Sequence, residues 1–234
     1  MATPQIDKKP RASVVMCIEE FDWIINQTFA GLFSQSFTDF ELILINSGAS
    51  KHFFEITHQY SCHFLEIQQN LIHSSLIDEK IVQEVRGEIV VLWNARAVPL
   101  FSGTLENLIA AFDDKNVMAS YAHRIPRPET KTWNRHGIDE PLPKYDSNSS
   151  LPSSPLPLIA IRKTLWEKQP LFANKCSANH SDWDEWQVLN GHKIQYIPSA
   201  LVMYSLDDSQ EKMVNGKKTN YGVSTQNSNL VSAG

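Results

Sequence analysis

The sequence has few cysteines and lacks any long apolar run. Its three cysteines, Cys17, Cys62 and Cys176, are far apart and show no metal-binding spacing. No stretch approaches the roughly 20 apolar residues of a transmembrane helix. Residues 1–11 are polar, without the apolar segment of a secretion signal. An odd number of cysteines without such a signal indicates reduced thiols. We therefore expect a cytoplasmic protein with no transmembrane segment.

The sequence also lacks a run of basic residues. Its formal net charge is -5, so binding to nucleic acid has little support. Hydrophobic residues make up 42% of the chain, which is ordinary for a globular protein and too apolar for a disordered one. The 234 residues can form one large domain or two small ones that share a core.

In the first half of the chain, short apolar runs alternate with helical patterns. The apolar runs predict strands at residues 13–18, 40–45, 63–67 and 88–93. This alternation predicts an α/β fold with a mostly parallel central sheet and helices on both faces. Right-handed crossovers are expected to place every loop that follows a strand at one edge of this sheet, where ligands bind. The tripeptide Asn94-Ala95-Arg96 follows the fourth strand, so we expect it at that edge.

The second half is less regular. Residues 117–125 and 156–163 predict strands, and the runs KIQYIP and ALVMYS predict two further short strands. Residues 126–157 are rich in Pro, Ser, Asn and charge, which predicts a long mobile loop.

These patterns divide the chain into a single domain with polar ends. The domain is expected at residues 13–206, after a polar segment at residues 1–12. Residues 207–234 show no apolar spacing and predict a disordered tail.

Five segments, in order along the chain, resemble the GT-A glycosyltransferases of family 2. These inverting enzymes transfer a sugar from a nucleotide donor to an acceptor. The segments are SVVMCIEEFDWI, LFSQSFTDFELILINSGAS, GEIVVLWNARAVPL, VMASYAHRIPRPE and DWDEWQVLNGHKIQYIP. The fourth is similar to a segment common in rhamnosyltransferase-like members. The resemblance runs from about Ser13 to Ser205 and implies a single GT-A domain.

Residues Asn46 and Ser47 stand where this family has a pair of aspartates. In the family, that pair ends the second strand and contacts the base and ribose of the nucleotide. Asn46 and Ser47 can still form hydrogen bonds with a nucleotide, although neither is charged. Alternatively, the Asn-Ser-Gly sequence satisfies the chemistry of a turn without any ligand.

The family's metal-binding Asp-x-Asp loop falls on Asn94-Ala95-Arg96, and its late metal-binding His falls on Tyr204. A divalent cation requires hard oxygen ligands, whereas Arg96 cannot ligate a cation and repels it. We therefore expect neither a metal nor another cofactor. Arg96 either pairs with the diphosphate itself or is a surface arginine in a loop that has lost this role.

A second basic cluster, His123, Arg124 and Arg127, lies where the sheet meets the long loop. It could contact phosphate, or it could be a solvated edge.

The catalytic base is also changed. The family's Glu-Asp pair before the Asp-Trp helix falls on Asn179-His180. His180 could act as the base because its pKa lies near neutrality, and Asp182 could orient it. Alternatively, Asn179 caps the start of the helix and His180 is merely exposed.

Two hypotheses follow from these substitutions. In the favoured one, the domain has lost the nucleotide, metal and base acids, is non-catalytic, and binds a glycan, a nucleotide or a protein partner. In the alternative, it is a metal-independent inverting glycosyltransferase that moves a hexosyl or rhamnosyl group from a nucleotide-sugar to a glycan or similar acceptor.

Overall fold

The computed structural model describes residues 8–18, 23–46, 59–66, 75–128, 157–168 and 190–204. The predicted tail, most of the predicted long loop and the predicted helix around Trp183 lie outside these residues. The elements are β1 (Ala12–Ile18), α1 (Trp23–Phe33), β2 (Phe40–Asn46), β3 (His63–Glu66), α2 (Ser75–Glu84), β4 (Ile89–Trp93), β5 (Val98–Pro99), α3 (Thr104–Ala110) with a 3-10 turn (Ala111–Asp113), β6 (Val117–Ile125), β7 (Leu158–Arg162), α4 (Lys163–Lys168) and β8 (Lys193–Met203).

The strands form one sheet in the order β3-β2-β1-β4-β7-β6-β8-β5. The pairs β1–β2, β1–β4, β2–β3 and β6–β8 are parallel. Strand β7 is antiparallel to both β4 and β6, and β5 is antiparallel to β8. The predicted mostly parallel α/β sheet is confirmed. The expectation that every strand directs its following loop to one edge is wrong for β5 and β7, because both run the opposite way.

Helices cover both faces of the sheet, as predicted. One face, here the α1/α3 face, is built around Phe29, Leu32 and Leu108. On the opposite α2/α4 face, Ile81 and Trp166 pack against the sheet. Trp166 is buried and belongs to the core of this face. Within the described ranges, no helix has the length and apolar composition that crossing a membrane requires.

A bulge in β8 brings its second half beside β5. Ala122 of β6 pairs with Ile197, but the next residue, His123, pairs with Leu201. The extra residues on β8 include Pro198, which cannot donate to a strand ladder. The two short strands predicted here are therefore one irregular strand.

Gln35, in the segment LFSQSF, links α1 to the start of α3. Its side-chain nitrogen donates to the carbonyl oxygens of Gly31 at 2.9 Å and Phe101 at 3.0 Å. Its side-chain oxygen accepts from the backbone nitrogen of Leu105 at 2.8 Å. This part of the motif therefore has a structural role.

Glu41 links β1, β2 and the turn before β4. Its Oε1 accepts from Ser13 Oγ and from the Arg86 backbone nitrogen, the latter at 2.7 Å. Its Oε2 accepts from Arg86 Nε at 2.7 Å. Ser13 Oγ in turn accepts from the backbone nitrogen of Gly87 at 2.8 Å. The four residues form one hydrogen-bonded network at the amino ends of the strands.

Gly87→Ala is expected to lower the free energy of unfolding by about 1–3 kcal/mol. A Cβ atom at Gly87 would lie 2.6 Å from the carbonyl carbon of Ala12 and 2.6 Å from the nitrogen of Ser13. These are backbone atoms of a central strand, so the clash is not relieved by a change of rotamer. Urea denaturation measures the loss. Gly103→Ala is the matched control, since a Cβ there would be 3.7 Å from its nearest neighbour, Asn107 Nδ2. Equal stability of the two variants would contradict the close approach at Gly87.

Candidate anion-binding site

The tripeptide Asn94-Ala95-Arg96 forms a tight turn at the end of β4. The backbone nitrogen of Ala97 donates to the Asn94 carbonyl oxygen at 2.8 Å. The side-chain Oδ1 of Asn94 accepts from the backbone nitrogen of Arg96 at 2.9 Å. Trp93 Nε1 donates to the carbonyl oxygen of Ala97 at 2.8 Å, which holds the far end of the turn. Asn94, a predicted diphosphate contact, therefore has a side chain that shapes the turn.

The end of β8 lies between this turn and the end of β6. Val98 of β5 pairs with Met203, and Ile125 of β6 pairs with the same residue from the other side. The backbone nitrogen of Tyr204 donates to the Ile125 carbonyl oxygen at 2.9 Å. Tyr204 therefore follows β8 at the point where Arg96 precedes β5 and Arg127 follows β6.

Three arginines act on the Tyr204 hydroxyl. Arg124 and Arg127 are each only 5% exposed, and Arg96 is half-buried. Burial raises the pKa of Tyr204, and the positive charges of Arg124, Arg96 and Arg127 oppose the rise without cancelling it. The phenol is therefore neutral at pH 7. We call Arg96, Arg124, Arg127 and Tyr204 the Arg–Tyr cluster.

The chemistry of the Arg–Tyr cluster matches an anion. Guanidinium groups only donate hydrogen bonds and stay charged at all physiological pH values. Their planar geometry suits the paired oxygens of phosphate or carboxylate. The three arginines, two of them buried, therefore concentrate positive charge at one point of the sheet edge.

The same cluster does not fit a divalent cation. Such a cation requires oxygen ligands, preferably anionic, whereas the charges that act on the neutral phenol of Tyr204 here are those of three arginines. Among the described residues, no group of three or more His, Cys, Asp or Glu side chains is placed to hold a metal ion.

His123 is separated from this cluster. Successive side chains of a strand point to opposite faces, so His123 and Arg124 lie on different faces of β6. His123 Nδ1 forms a short hydrogen bond with the Tyr196 hydroxyl, and the Tyr196 ring lies 5.2 Å from that of Tyr121 on the α2/α4 face. Burial, and then the charge of Arg124, lower the pKa of His123, which leaves the imidazole neutral at pH 7. The predicted basic cluster therefore contains Arg124 and Arg127 but not His123.

The other predicted site residues are placed only in part. Asn46 ends β2 and pairs with Ile18 and Glu66. Because β1, β2 and β4 are parallel, Asn46 lies at the same edge of the sheet as Arg96. Ser47, His180 and Asp182 lie outside the described residues, and their roles stay predictions.

The position of Tyr204 at the centre of the cluster was not predicted. The resemblance indicated only that Tyr204 replaces a metal ligand. The pairing of β8 with both β5 and β6 is what places Tyr204 near the three arginines. The apolar run ALVMYS, which predicts a strand ending near Tyr204, was the feature of the sequence that could have indicated this position.

No protein-family model and no curated protein matches the sequence. Solved structures do match the fold. A mannosyltransferase from Pyrobaculum calidifontis, in complex with GDP-Man and Mn2+, is 15% identical over 86% of this chain, with a TM-score of 0.64. S. aureus TarS in complex with UDP is 12% identical over 87% of the chain, with a TM-score of 0.60. GalNAc-T7 with UDP, GalNAc and Mn2+ is 13% identical over 85% of it, with a TM-score of 0.59. The chain has the GT-A fold.

This GT-A domain is shorter than the proteins it resembles. It spans 59% of the mannosyltransferase, 63% of the TarS chain and 44% of GalNAc-T7. The likeness confirms the predicted GT-A architecture. At these identities it concerns the fold alone, so the activity of the domain has to be inferred from its own residues.

Proposed function

We propose that this GT-A domain binds the diphosphate of a nucleoside diphosphate or nucleotide-sugar without a divalent cation. The grouping of Arg96, Arg124, Arg127 and Tyr204 at the neighbouring ends of β5, β6 and β8 carries this proposal. The cluster lies at the carboxyl edge of the sheet, the edge where open α/β folds bind ligands. The domain binds its ligand without catalysis, because Asn46 and Arg96 stand where the resembled enzymes have acidic residues.

The burial of the cluster favours tight binding. A hydrogen bond to a charged group contributes roughly 1.5–3 kcal/mol, and a low local dielectric strengthens it further. Arg124 and Arg127 are 5% exposed, so little water screens their charges. The neutral Tyr204 hydroxyl adds a donor that can point at a phosphate oxygen.

Arg96→Ala is expected to weaken the binding of UDP or GDP by about 10-fold to 100-fold, the contribution of one charge-assisted contact. Isothermal titration calorimetry in EDTA measures the dissociation constant. The fold should stay intact, because a loop arginine contributes little to stability. Arg11→Ala is the matched control, since the Arg11 side chain forms a surface ion pair with Asp113, at 2.6 Å.

Two outcomes would contradict the proposal. One is wild-type protein that binds no nucleoside diphosphate at millimolar concentration, and the other is Arg96→Ala protein that binds as tightly as wild type. Sugar transfer by the wild-type protein in EDTA would instead establish the alternative, a metal-independent transferase. In that case His180→Ala should abolish turnover and spare donor binding, because a base acts on the acceptor.

A further inference from the structure

We propose that divalent cations weaken the binding of nucleotides to this domain. In a site where a cation bridges the diphosphate to protein carboxylates, the cation strengthens nucleotide binding instead. This inference rests on the proposed function. It concerns regulation of the same Arg–Tyr cluster.

The positive charge of the cluster is permanent. Arginine does not lose its proton in proteins, so Arg96, Arg124 and Arg127 stay charged at any physiological pH. The turn that carries Arg96 is fixed by the hydrogen bond from the Arg96 backbone to Asn94 Oδ1, at 2.9 Å. The side-chain oxygen of Asn94, the first residue of the tripeptide, is therefore already used as a hydrogen-bond acceptor.

The turn is also anchored on both sides. Asn94 donates its backbone nitrogen to the Pro157 carbonyl oxygen at 2.8 Å, and Trp93 Nε1 binds Ala97 at 2.8 Å. These hydrogen bonds hold the loop in the conformation in which Arg96 acts on Tyr204. The tripeptide contains no carboxylate that could bind a cation in place of Arg96.

A cation and the arginines compete for the same ligand atoms. Magnesium and manganese chelate the non-bridging oxygens of a free diphosphate, which are the oxygens that guanidinium groups bind. Chelation also removes two negative charges from the nucleotide. The chelate therefore offers fewer acceptors and less charge to the cluster, and the three arginines repel the cation it carries.

The test is a calorimetric titration of the whole chain with UDP and with GDP, first in EDTA and then in MnCl2 or MgCl2 at a concentration that chelates most of the nucleotide. Ionic strength is matched with NaCl, because salt alone screens charge. We expect the dissociation constant to rise at least about 10-fold in the divalent salt, the loss of one charge-assisted contact. Excess EDTA should restore it.

The outcomes separate the two proposals. Binding in EDTA that the cation weakens beyond the NaCl control supports both. Binding in EDTA that manganese leaves unchanged or tightens overturns this inference while the proposed function stands. No binding of UDP or GDP in EDTA overturns the proposed function and this inference with it.

Discussion

Glu41→Gln is expected to lower the free energy of unfolding by about 2–4 kcal/mol, because it removes a buried charge from a network of donors. The Glu41 side chain is 6% exposed and accepts bonds from Ser13 and Arg86. An amide at this position presents an NH2 group to one of those donors, so at least one bond is lost. Urea denaturation at pH 7 measures the effect. Glu88→Gln, on an exposed carboxylate, is the control and should change stability by less than about 0.5 kcal/mol.

The same carboxylate predicts a dependence on pH. Burial alone would raise the pKa of Glu41, but the hydrogen bonds from Ser13 and Arg86 and the charge of Arg86 outweigh it, so the pKa is lowered. A group with a lowered folded pKa stabilises the fold fully above its unfolded pKa. That contribution is lost as the pH falls from the ordinary carboxyl range through the folded pKa. The stability difference between wild type and Glu41→Gln should therefore shrink at acidic pH. A difference that stays constant from pH 7 to pH 3 would contradict this role.

Among the described residues, the sequence predicted every strand except β5, and it divided the irregular β8 into two short strands. Strands β1, β2 and β4 each consist mostly of apolar residues in a short continuous run, so pattern alone identifies them. Strand β5 has two residues, too few for any periodicity. The direction of β7 depends on which neighbours it pairs with, and a local pattern does not contain that information.

The sequence also predicted part of the candidate site. Resemblance placed Arg96 and Tyr204 at two positions of one metal site, and the pairing of β5 with β8 places both residues at neighbouring strand ends. Arg124 joins them because it lies on the same face of the sheet, whereas the alternation of strand side chains excludes its neighbour His123. The sequence had grouped both with Arg127 by proximity along the chain.

The residues that match the resembled motifs hold the fold together, and the residues that depart from them lie at the carboxyl edge of the sheet. Gln35, Glu41 and Gly87 are bonded or packed within the sheet and its helices. Asn46 and Arg96 stand at the carboxyl ends of β2 and β4. The side chains that hold the sheet together therefore differ from those that stand at its carboxyl edge.

Asn94→Asp with Arg96→Asp is expected to weaken the binding of UDP or GDP in EDTA by more than about 1000-fold. The double variant removes one charge-assisted contact and places two carboxylates beside the diphosphate, where like charges cost several kcal/mol. The turn should persist, since an aspartate at position 94 can accept the bond that Asn94 Oδ1 now accepts from the Arg96 backbone nitrogen. The matched control is Arg96→Ala, which loses the contact without adding negative charge.

The metal response of the double variant should also change sign. Two carboxylates on a tight turn supply hard oxygen ligands, so manganese should now recover part of the lost affinity, whereas it weakens binding to the wild type. Calorimetry in EDTA and in MnCl2 gives the dissociation constant of each protein without and with the cation. Affinity in EDTA equal to that of wild type would show that the Asn94–Arg96 turn does not contact the diphosphate. If the double variant in manganese stays as weak as in EDTA, the predicted change of sign is wrong, and the charges of Arg124 and Arg127, which also act on Tyr204, are sufficient to exclude the cation.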